Sequence, residues 1–256
     1  MKILLDAGHY AKYNPSPVVK DYWESVQMWK LHLYLAEALE EYGAVVGFTR
    51  ENQTKDLEVT KRGRKAAGYD LFLSLHSNAC DTESVDRVTV FRAYDNLNDA
   101  ETLGRRLADR VAEVMGVSKG KTATREGSRG EYYGVLRGAR AAGCPLFYIV
   151  EHSFHTNRRA AQWLLDYGNL QALAEAEAAV IAEYFGLKKP EYLVGDVNGD
   201  GKVDAQDYIL AKRYVLGTVE LTAEEAARGD TDGDGVLGPT DYFRIKRAVL
   251  GTLELN

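Results

Sequence analysis

Hydrophobic and polar positions follow two different periods along the first 187 residues. Short apolar runs bounded by turn residues predict buried strands at 3–5, 45–49, 71–75, 88–91 and 147–150. Between them, apolar side chains spaced three and four residues apart predict amphipathic helices at 24–42, 100–114 and 169–185. Strands that alternate with such helices indicate an α/β fold, with a mostly parallel, twisted sheet flanked by helices.

Polar residues with metal-binding side chains lie at the ends of these strands. His9 and His76 each follow a buried strand, Glu151 ends another, and Glu24 begins the first helix. The carboxyl ends of parallel strands meet at one edge of the sheet, where such folds bind ligands. Considered singly, each histidine is expected to be a hydrogen-bonded surface residue, and each glutamate is expected to cap a helix or form an ion pair. Together, two imidazoles and one carboxylate are a ligand set for catalytic zinc with an open position.

The last 60 residues contain an internal duplication. At an offset of 34 residues, 11 of 22 positions are identical between 196–217 and 230–251. Each copy is an acidic loop followed by one helix, which is too small to bury its apolar side alone, so we expect the two copies to pack together. Glycine and proline after the 169–185 helix break the pattern. We therefore predict a first domain at 1–187, a linker at 188–193 and a small all-α domain at 194–256.

Both acidic loops place oxygen ligands at the spacing of calcium-binding loops. The predicted ligands of the first calcium ion are Asp196, Asn198, Asp200, Lys202, Asp204 and Asp207. Those of the second are Asp230, Asp232, Asp234, Val236 and Asp241. Lys202 and Val236 would bind through their carbonyl oxygens, and Gly238 stands where the first loop has Asp204. We recognise no amphipathic helix closely before either loop.

Composition and charge narrow the possible partners. The net charge is −6, and residues 191–256 hold 13 acidic and 7 basic residues, whereas the first 190 residues hold 25 of each. This acidic tail argues against nucleic acid and suits divalent cations. No apolar run reaches the ~20 residues of a membrane span. The apolar run in the opening MKILLDAGH is too short for a cleaved signal peptide and leads directly into His9, so we expect another export route or a signal already removed.

Four stretches of the first domain resemble, in order and spacing, the motifs of zinc-dependent N-acetylmuramoyl-L-alanine amidases of the amidase-3 family. They are LLDAGH, the glutamate 26 residues before Arg50, AGYDLFLSLHSNA at 67–79 and LFYIVEHSFHTN at 146–157. The resemblance implies one catalytic zinc and cleavage of the amide between N-acetylmuramic acid and L-alanine in peptidoglycan. It matches His9, Glu24 and His76 to the zinc ligands and Glu151 to the catalytic carboxylate.

Three other residues of the matched region need separate interpretation. His152 and Ser153 stand where many members of the family have a small residue and glycine, a departure expected to alter the site beside Glu151. Arg137 stands at the family's Val-Leu-Arg position and suits hydrogen bonding to a peptide carbonyl or carboxylate of the substrate, with a structural arginine as the alternative. We expect His155 to be a surface histidine, with contact to the site as the alternative.

The tail resembles a type I dockerin. Both loops end in Asp, and each following helix carries Lys-Arg and Val-Leu-Gly. The resemblance implies calcium-dependent docking on a cohesin-like protein of an extracellular scaffold. We therefore predict an extracellular or cell-wall enzyme, either an autolysin or a phage-type endolysin. The alternatives are an inactive wall-binding or adaptor protein and a zinc peptidoglycan peptidase of different bond specificity.

Overall fold

The computed structural model describes residues 1–118, 120–128, 130–189 and 192–255. Backbone contacts divide the chain into two units, Met1–Glu40 with Val46–Leu187 and Glu41–Val45 with Lys188–Asn256. Pro190 and Glu191 of the expected linker, and the final residue Asn256, lie outside the described residues. Within the described part of the chain, no helix is both long enough and apolar enough to cross a membrane.

The first unit is built on a mostly parallel sheet, as the sequence predicts. Its strands are β1 (Lys2–Ala7), β2 (Val45–Phe48), β3 (Leu71–Asn78), β4 (Thr89–Phe91), β5 (Lys121–Ala123), β6 (Glu126–Gly127), β7 (Gly130–Glu131) and β8 (Leu146–Phe154). Six of them form one sheet in the order β2-β1-β3-β8-β4-β5, and β6 and β7 form a separate hairpin. Strand β3 is parallel to both β1 and β8, and β4 is parallel to β5, whereas β4 and β8 are antiparallel.

Helices cover this sheet. They are α1 (Glu24–Glu40), α2 (Val59–Arg64), α3 (Ala100–Val114), α4 (Gly134–Ala141), α5 (Arg158–Leu165) and α6 (Tyr167–Phe185). Helix α1 packs against β1 and β3, α3 packs against β4 and β5, and α6 packs against both α1 and α3. Helices α2 and α4 approach each other closely, because a Cβ atom added to Gly63 would lie 1.9 Å from the carbonyl oxygen of Val135. The three longest helices are those that apolar spacing predicts.

The central strands bring the polar residues of the site together. Strands β1, β3 and β8 are buried over nearly their whole length, as parallel strands covered on both faces should be. The register aligns Asp6 of β1 with Ser74 of β3, and His76 of β3 with Glu151 of β8. Apolar burial therefore fixes which polar side chains become neighbours at the carboxyl edge.

The second unit is helical. It contains α7 (Ala205–Val215), α8 (Ala223–Gly229) and α9 (Pro239–Val249). Helices α7 and α9 pack on each other around a small core, as the duplication predicts. Helix α8 corrects one expectation, because it ends directly before Asp230 and the second loop does follow a helix. Its 7 residues are too few for an apolar period to be visible in the sequence, although Thr222 and Glu225 form its capping box.

Candidate metal centre and active site

The side chains of His9, Glu24 and His76 converge from the turn after β1, from α1 and from β3. His9 Nε2 lies 3.2 Å from Glu24 Oε2, and His76 Nδ1 lies 2.9 Å from Glu24 Oε1. One ligand atom from each residue lies within 4.8 Å of the other two. Burial alone would raise the pKa of Glu24, but hydrogen bonds and charges from His76 and His9 lower this pKa below its ordinary value. The three residues thus present two nitrogens and an ionised carboxylate to a common point.

The turn after β1 is shaped for this convergence. A Cβ atom added to Gly8 would lie 2.5 Å from Cε1 of His76, so only glycine leaves room for the imidazole ring. His9 itself has a φ of +60°, an uncommon conformation for a residue with a side chain. Asn14 donates a 2.7 Å hydrogen bond to Glu24 Oε2 and fixes the orientation of the carboxylate. Backbone strain and hydrogen bonding therefore concentrate at the three clustered side chains.

Glu151 lies directly across the β3–β8 pair from His76. Its side chain is partly buried, and its Oε2 atom is shielded from solvent with no hydrogen-bond partner among the described residues. Burial, followed by the negative charge of Glu24, raises the pKa of Glu151 to about 8. A carboxyl group with a pKa near neutrality can both accept a proton and return it.

His152 and Ser153, which depart from the family pattern, anchor the end of β8. His152 is fully buried, with Nε2 2.6 Å from Glu177 Oε1 on α6 and Nδ1 2.9 Å from the carbonyl oxygen of His76. Burial alone would lower the pKa of His152, but the charge and hydrogen bond of Glu177 raise it. Ser153 has a φ of +58°, which suits glycine, and its hydroxyl donates to Asp86 at 2.6 Å.

His155 is buried, so the expectation of a surface histidine is wrong. Its ring stacks on Tyr22, its Nδ1 lies 2.9 Å from the carbonyl oxygen of Ser77, and the same nitrogen lies 3.9 Å from Glu24 Oε2. Burial lowers the pKa of His155. Its partners are about 80 residues or more away along the chain, and no local pattern in the sequence identifies them. The structure therefore supports the alternative of a contact to the site.

Arg137, on α4, is held by the β6–β7 hairpin. One of its guanidinium nitrogens donates to the carbonyl oxygens of Glu131 and Tyr132. Arg125 lies directly before β6, and its guanidinium lies 3.6 Å from the centre of the Tyr132 ring. These contacts favour the structural alternative, and contact of Arg137 with substrate stays a prediction.

The first acidic loop of the second unit is held by its own carboxylates. Asp196 accepts backbone hydrogen bonds from Gly199, Asp200 and Gly201, and Asp207 accepts them from Asn198 and Asp204. Asp204 also caps α7 by accepting from the backbone of Gln206. Lys202 is exposed. Asp196 and Asp207 therefore close the loop on itself, whereas Asp200 is exposed.

The second loop repeats this arrangement. Asp230 accepts from the backbone of Gly233 and Gly235, and Asp241 accepts from Thr231, Asp232 and Gly238. One carboxylate oxygen from each of Asp230, Asp232 and Asp234 lies within 4.8 Å of the other two. Burial, followed by the charge of Asp241, raises the pKa of Asp232. The carboxylates are thus crowded, and Val236 is exposed at the predicted carbonyl position.

Comparison with known proteins gives matches for both units. Residues 3–183 match the profile of N-acetylmuramoyl-L-alanine amidase, and residues 194–250 match that of the dockerin type I domain. No curated protein matches the chain significantly.

Solved structures of amidases share the fold of the first unit. Cwp6 from Clostridium difficile is 21% identical with a TM-score of 0.63, and the match covers 71% of this chain but 29% of Cwp6. The catalytic domain of CwlV, an N-acetylmuramoyl-L-alanine amidase from Bacillus (Paenibacillus) polymyxa var. colistinus, is 19% identical with a TM-score of 0.61, covering 73% of this chain and 99% of that one. The CwlD amidase from Clostridioides difficile, in complex with the GerS lipoprotein, is 20% identical with a TM-score of 0.61, covering 72% and 98%. At these identities the structures establish a common fold.

The first profile match spans most of the sequence. The chain therefore belongs to the N-acetylmuramoyl-L-alanine amidase family, whose members are enzymes that hydrolyse amide bonds of peptidoglycan.

Proposed function

We propose that the first unit hydrolyses the amide bond between N-acetylmuramic acid and L-alanine with one zinc ion bound by His9, Glu24 and His76. The observation that carries this proposal is the cluster of three ligand atoms within 4.8 Å of one another, beside a carboxyl group of raised pKa. Two imidazoles and one carboxylate suit zinc, whereas calcium and magnesium prefer all-oxygen sites. The donor set therefore fits the cofactor that the resemblance implies.

Glu151 is the proposed proton carrier. A bound zinc ion would polarise the lactyl carbonyl and lower the pKa of water in the site. Glu151 takes a proton from the attacking water, whose oxygen forms a bond to the lactyl carbon. The same carboxyl then gives that proton to the alanine nitrogen as the C–N bond breaks. The Oε2 atom of Glu151 suits this task because it has no competing hydrogen bond among the described residues.

Two other functions predict different outcomes when the protein is incubated with peptidoglycan. An inactive wall-binding or adaptor protein would have no use for Glu151, since a shielded carboxylate oxygen without a partner costs stability. A zinc peptidase would cut within the stem peptide instead of at its first residue.

Digestion of purified sacculi, followed by mass spectrometry of the released ends, separates these possibilities. The amidase releases peptides that begin with L-alanine and creates no new reducing sugar ends. Internal peptide amino termini would identify a peptidase, new reducing ends would identify a glycosidase, and absence of release would favour the binding protein.

For the second unit we propose two structural calcium ions, one in each acidic loop. Support comes from the spacing of the oxygen ligands, and from the crowding of Asp230, Asp232 and Asp234 that a divalent cation would relieve. The first ion would be bound by the six residues predicted from Asp196 to Asp207, and the second by the five predicted from Asp230 to Asp241. Calcium would hold the loops and leave the chemistry to the first unit.

We further propose that the second unit docks on a cohesin-like protein. Large apolar side chains are exposed at equivalent positions of the two copies, Ile209 with Phe243 and Leu216 with Leu250. If the duplication served only stability, the two copies would need apolar residues on their buried sides alone. Matched apolar residues on the exposed side indicate a binding surface instead. The adjoining pairs Lys212-Arg213 and Lys246-Arg247 also lie in last helical turns, where the helix dipole alone would favour them.

Calorimetry of the full chain with purified type I cohesin domains tests this docking. Binding should require calcium and should weaken in Phe243→Ala and Leu250→Ala variants. Unchanged binding in both variants would remove the surface of the second copy from the interface. Such docking would agree with an extracellular or cell-wall enzyme, with domains at 1–187 and 194–256 joined by a linker at 188–193.

A further inference from the structure

We propose that Asp6 and Ser74 are positioning residues that keep a proton on Nε2 of His76 and so leave its Nδ1 atom to bind the metal. This inference rests on the zinc site proposed above. It concerns the side chains behind that site, which act on the metal only through His76.

Strand register brings the three side chains into line. Asp6 and Ser74 are paired residues of β1 and β3, and both are almost completely buried. The hydroxyl of Ser74 donates a 2.8 Å hydrogen bond to Asp6 Oδ2. His76 lies two residues after Ser74, so both side chains are on the same face of β3. His76 Nε2 lies 3.1 Å from Ser74 Oγ, which completes a chain of three groups.

The direction of the hydrogen bonds follows from the number of protons. A carboxylate can only accept, so the single proton of the Ser74 hydroxyl is used toward Asp6. Ser74 Oγ can then only accept from His76, and Nε2 must carry the proton of that bond. The other ring nitrogen, Nδ1, lies 2.9 Å from Glu24 Oε1 and faces the cluster. Without a metal this contact needs a second proton on the ring, and a bound metal would take the place of that proton. The opposite tautomer would set the lone pair of Nε2 against that of the hydroxyl.

Asp6 is fixed through both of its oxygens. Thr49 Oγ1 donates to Asp6 Oδ1 at 2.5 Å, and a guanidinium nitrogen of Arg62 lies 3.7 Å from the same oxygen. The carboxylate therefore cannot rotate away from Ser74 without losing these contacts. Thr49 also provides a matched control, since it contacts the same carboxylate on the side away from His76.

The experiment compares Ser74→Ala with Thr49→Val in the full chain. Each variant removes one hydroxyl donor from Asp6, but only Ser74→Ala removes the acceptor of His76. Outer hydrogen-bond partners of metal ligands typically change metal affinity about 10- to 100-fold, so we expect a loss of that size in Ser74→Ala and less than ~3-fold in Thr49→Val. Competition with a chromophoric chelator measures zinc affinity, and thermal unfolding measures the stability of each variant.

A spectroscopic measurement reports the proton directly. In zinc-loaded protein with ¹⁵N-labelled histidine, the Nε2–H signal of His76 should exchange slowly in the wild type and in Thr49→Val, and should exchange rapidly in Ser74→Ala. As a second variant, Asp6→Asn introduces an amide that can donate to Ser74. This donation reverses the direction of the hydrogen bonds between residue 6, Ser74 and His76, so zinc affinity should again fall.

Each other outcome overturns the inference. If Ser74→Ala kept wild-type zinc affinity and slow Nε2–H exchange, the hydrogen bonds from Asp6 and Ser74 would not act on His76. Equal losses of affinity in Ser74→Ala and Thr49→Val would mean that Ser74 acts only by holding Asp6, as Thr49 does, and not by accepting a hydrogen bond from His76. A wild-type protein that binds no zinc would overturn both the proposed zinc amidase activity and the proposed role of Asp6 and Ser74. The first two outcomes would leave the proposed amidase activity standing.

Discussion

His76 and Glu151 are paired residues of the parallel strands β3 and β8. Adjacent strands are about 4.8 Å apart, so the register alone brings the proposed zinc ligand beside the proposed proton carrier. A slip of one residue between these strands would turn one of the two side chains to the opposite face of the sheet. The buried apolar residues of β3 and β8 prevent such a slip, and in this way the core determines the geometry of the site.

Replacement of Glu151 should separate metal binding from catalysis. Glu151→Ala removes the proton carrier but none of the proposed zinc ligands, so zinc should remain bound while hydrolysis falls about 10²- to 10⁴-fold. His76→Ala should lose zinc as well. Zinc analysis and sacculus digestion provide the measurements, with the exposed Glu175→Ala as a control that should behave like the wild type. Near-normal activity of Glu151→Ala would contradict the assigned role.

The buried His32 should make the protein sensitive to mild acid. Its ring is almost fully buried against Phe48, and burial lowers the pKa of His32 to about 4. The pKa of this histidine in the unfolded chain is about 6.5, so between about pH 4 and 6.5 the unfolded state binds a proton that the folded state does not. The resulting stabilisation is complete above about pH 6.5 and is lost as the pH falls toward 4, a total of about 3 kcal/mol.

Urea unfolding at several pH values checks this prediction. His32→Leu removes the titrating group, so the free energy of unfolding should depend less on pH in the variant than in the wild type between pH 6.5 and 4. The comparison between the two proteins cancels the contributions of other titrating groups. The same pH dependence in both would mean that His32 is not responsible.

Removal of one partner from the buried pair of His152 and Glu177 should lower the free energy of unfolding much more than replacement of both partners. Glu177→Ala leaves a buried imidazole without its partner, which typically costs about 3–5 kcal/mol. Replacement of both residues by leucine should cost much less, because no unpaired buried charge remains. The exposed pair of Arg110 and Glu113 is the control, and its removal should change stability by about 1 kcal/mol or less. Equal costs for the single and double variants, by urea unfolding, would contradict this explanation.

Calcium should order the second unit, and the first loop should bind more tightly than the second. Asp204 supplies a side chain that Gly238 cannot, and binding to the folded loops adds to their stability. Calcium titration of full-length Asp196→Ala and Asp230→Ala variants isolates one loop in each protein. The remaining site should therefore be weaker in Asp196→Ala. Equal remaining affinities would refute the ranking, and unchanged NMR dispersion of the second unit without calcium would refute the coupling to folding.

Local sequence patterns predicted the residues that end strands and begin helices. His9, His76 and Glu151 could be recognised because apolar runs end beside them, and the longest helices because their apolar side chains recur at regular spacing. Pairings between distant segments have no local pattern. The antiparallel addition of β4 to β8, the stacking of His155 on Tyr22 and the partnership of His152 with Glu177 all depend on tertiary packing. Short helices such as α8 have too few turns for their period to be visible.

The most direct test of the proposed reaction is hydrolysis of a defined muropeptide in water enriched in ¹⁸O. Attack of water on the lactyl carbonyl predicts one ¹⁸O atom in the carboxylate of the released N-acetylmuramic acid and none in the peptide that begins with L-alanine. Mass spectrometry of the two products measures the label, and chelation of zinc should stop its incorporation. Label in a peptide carboxylate, with the sugar still attached to L-alanine, would contradict the proposed reaction.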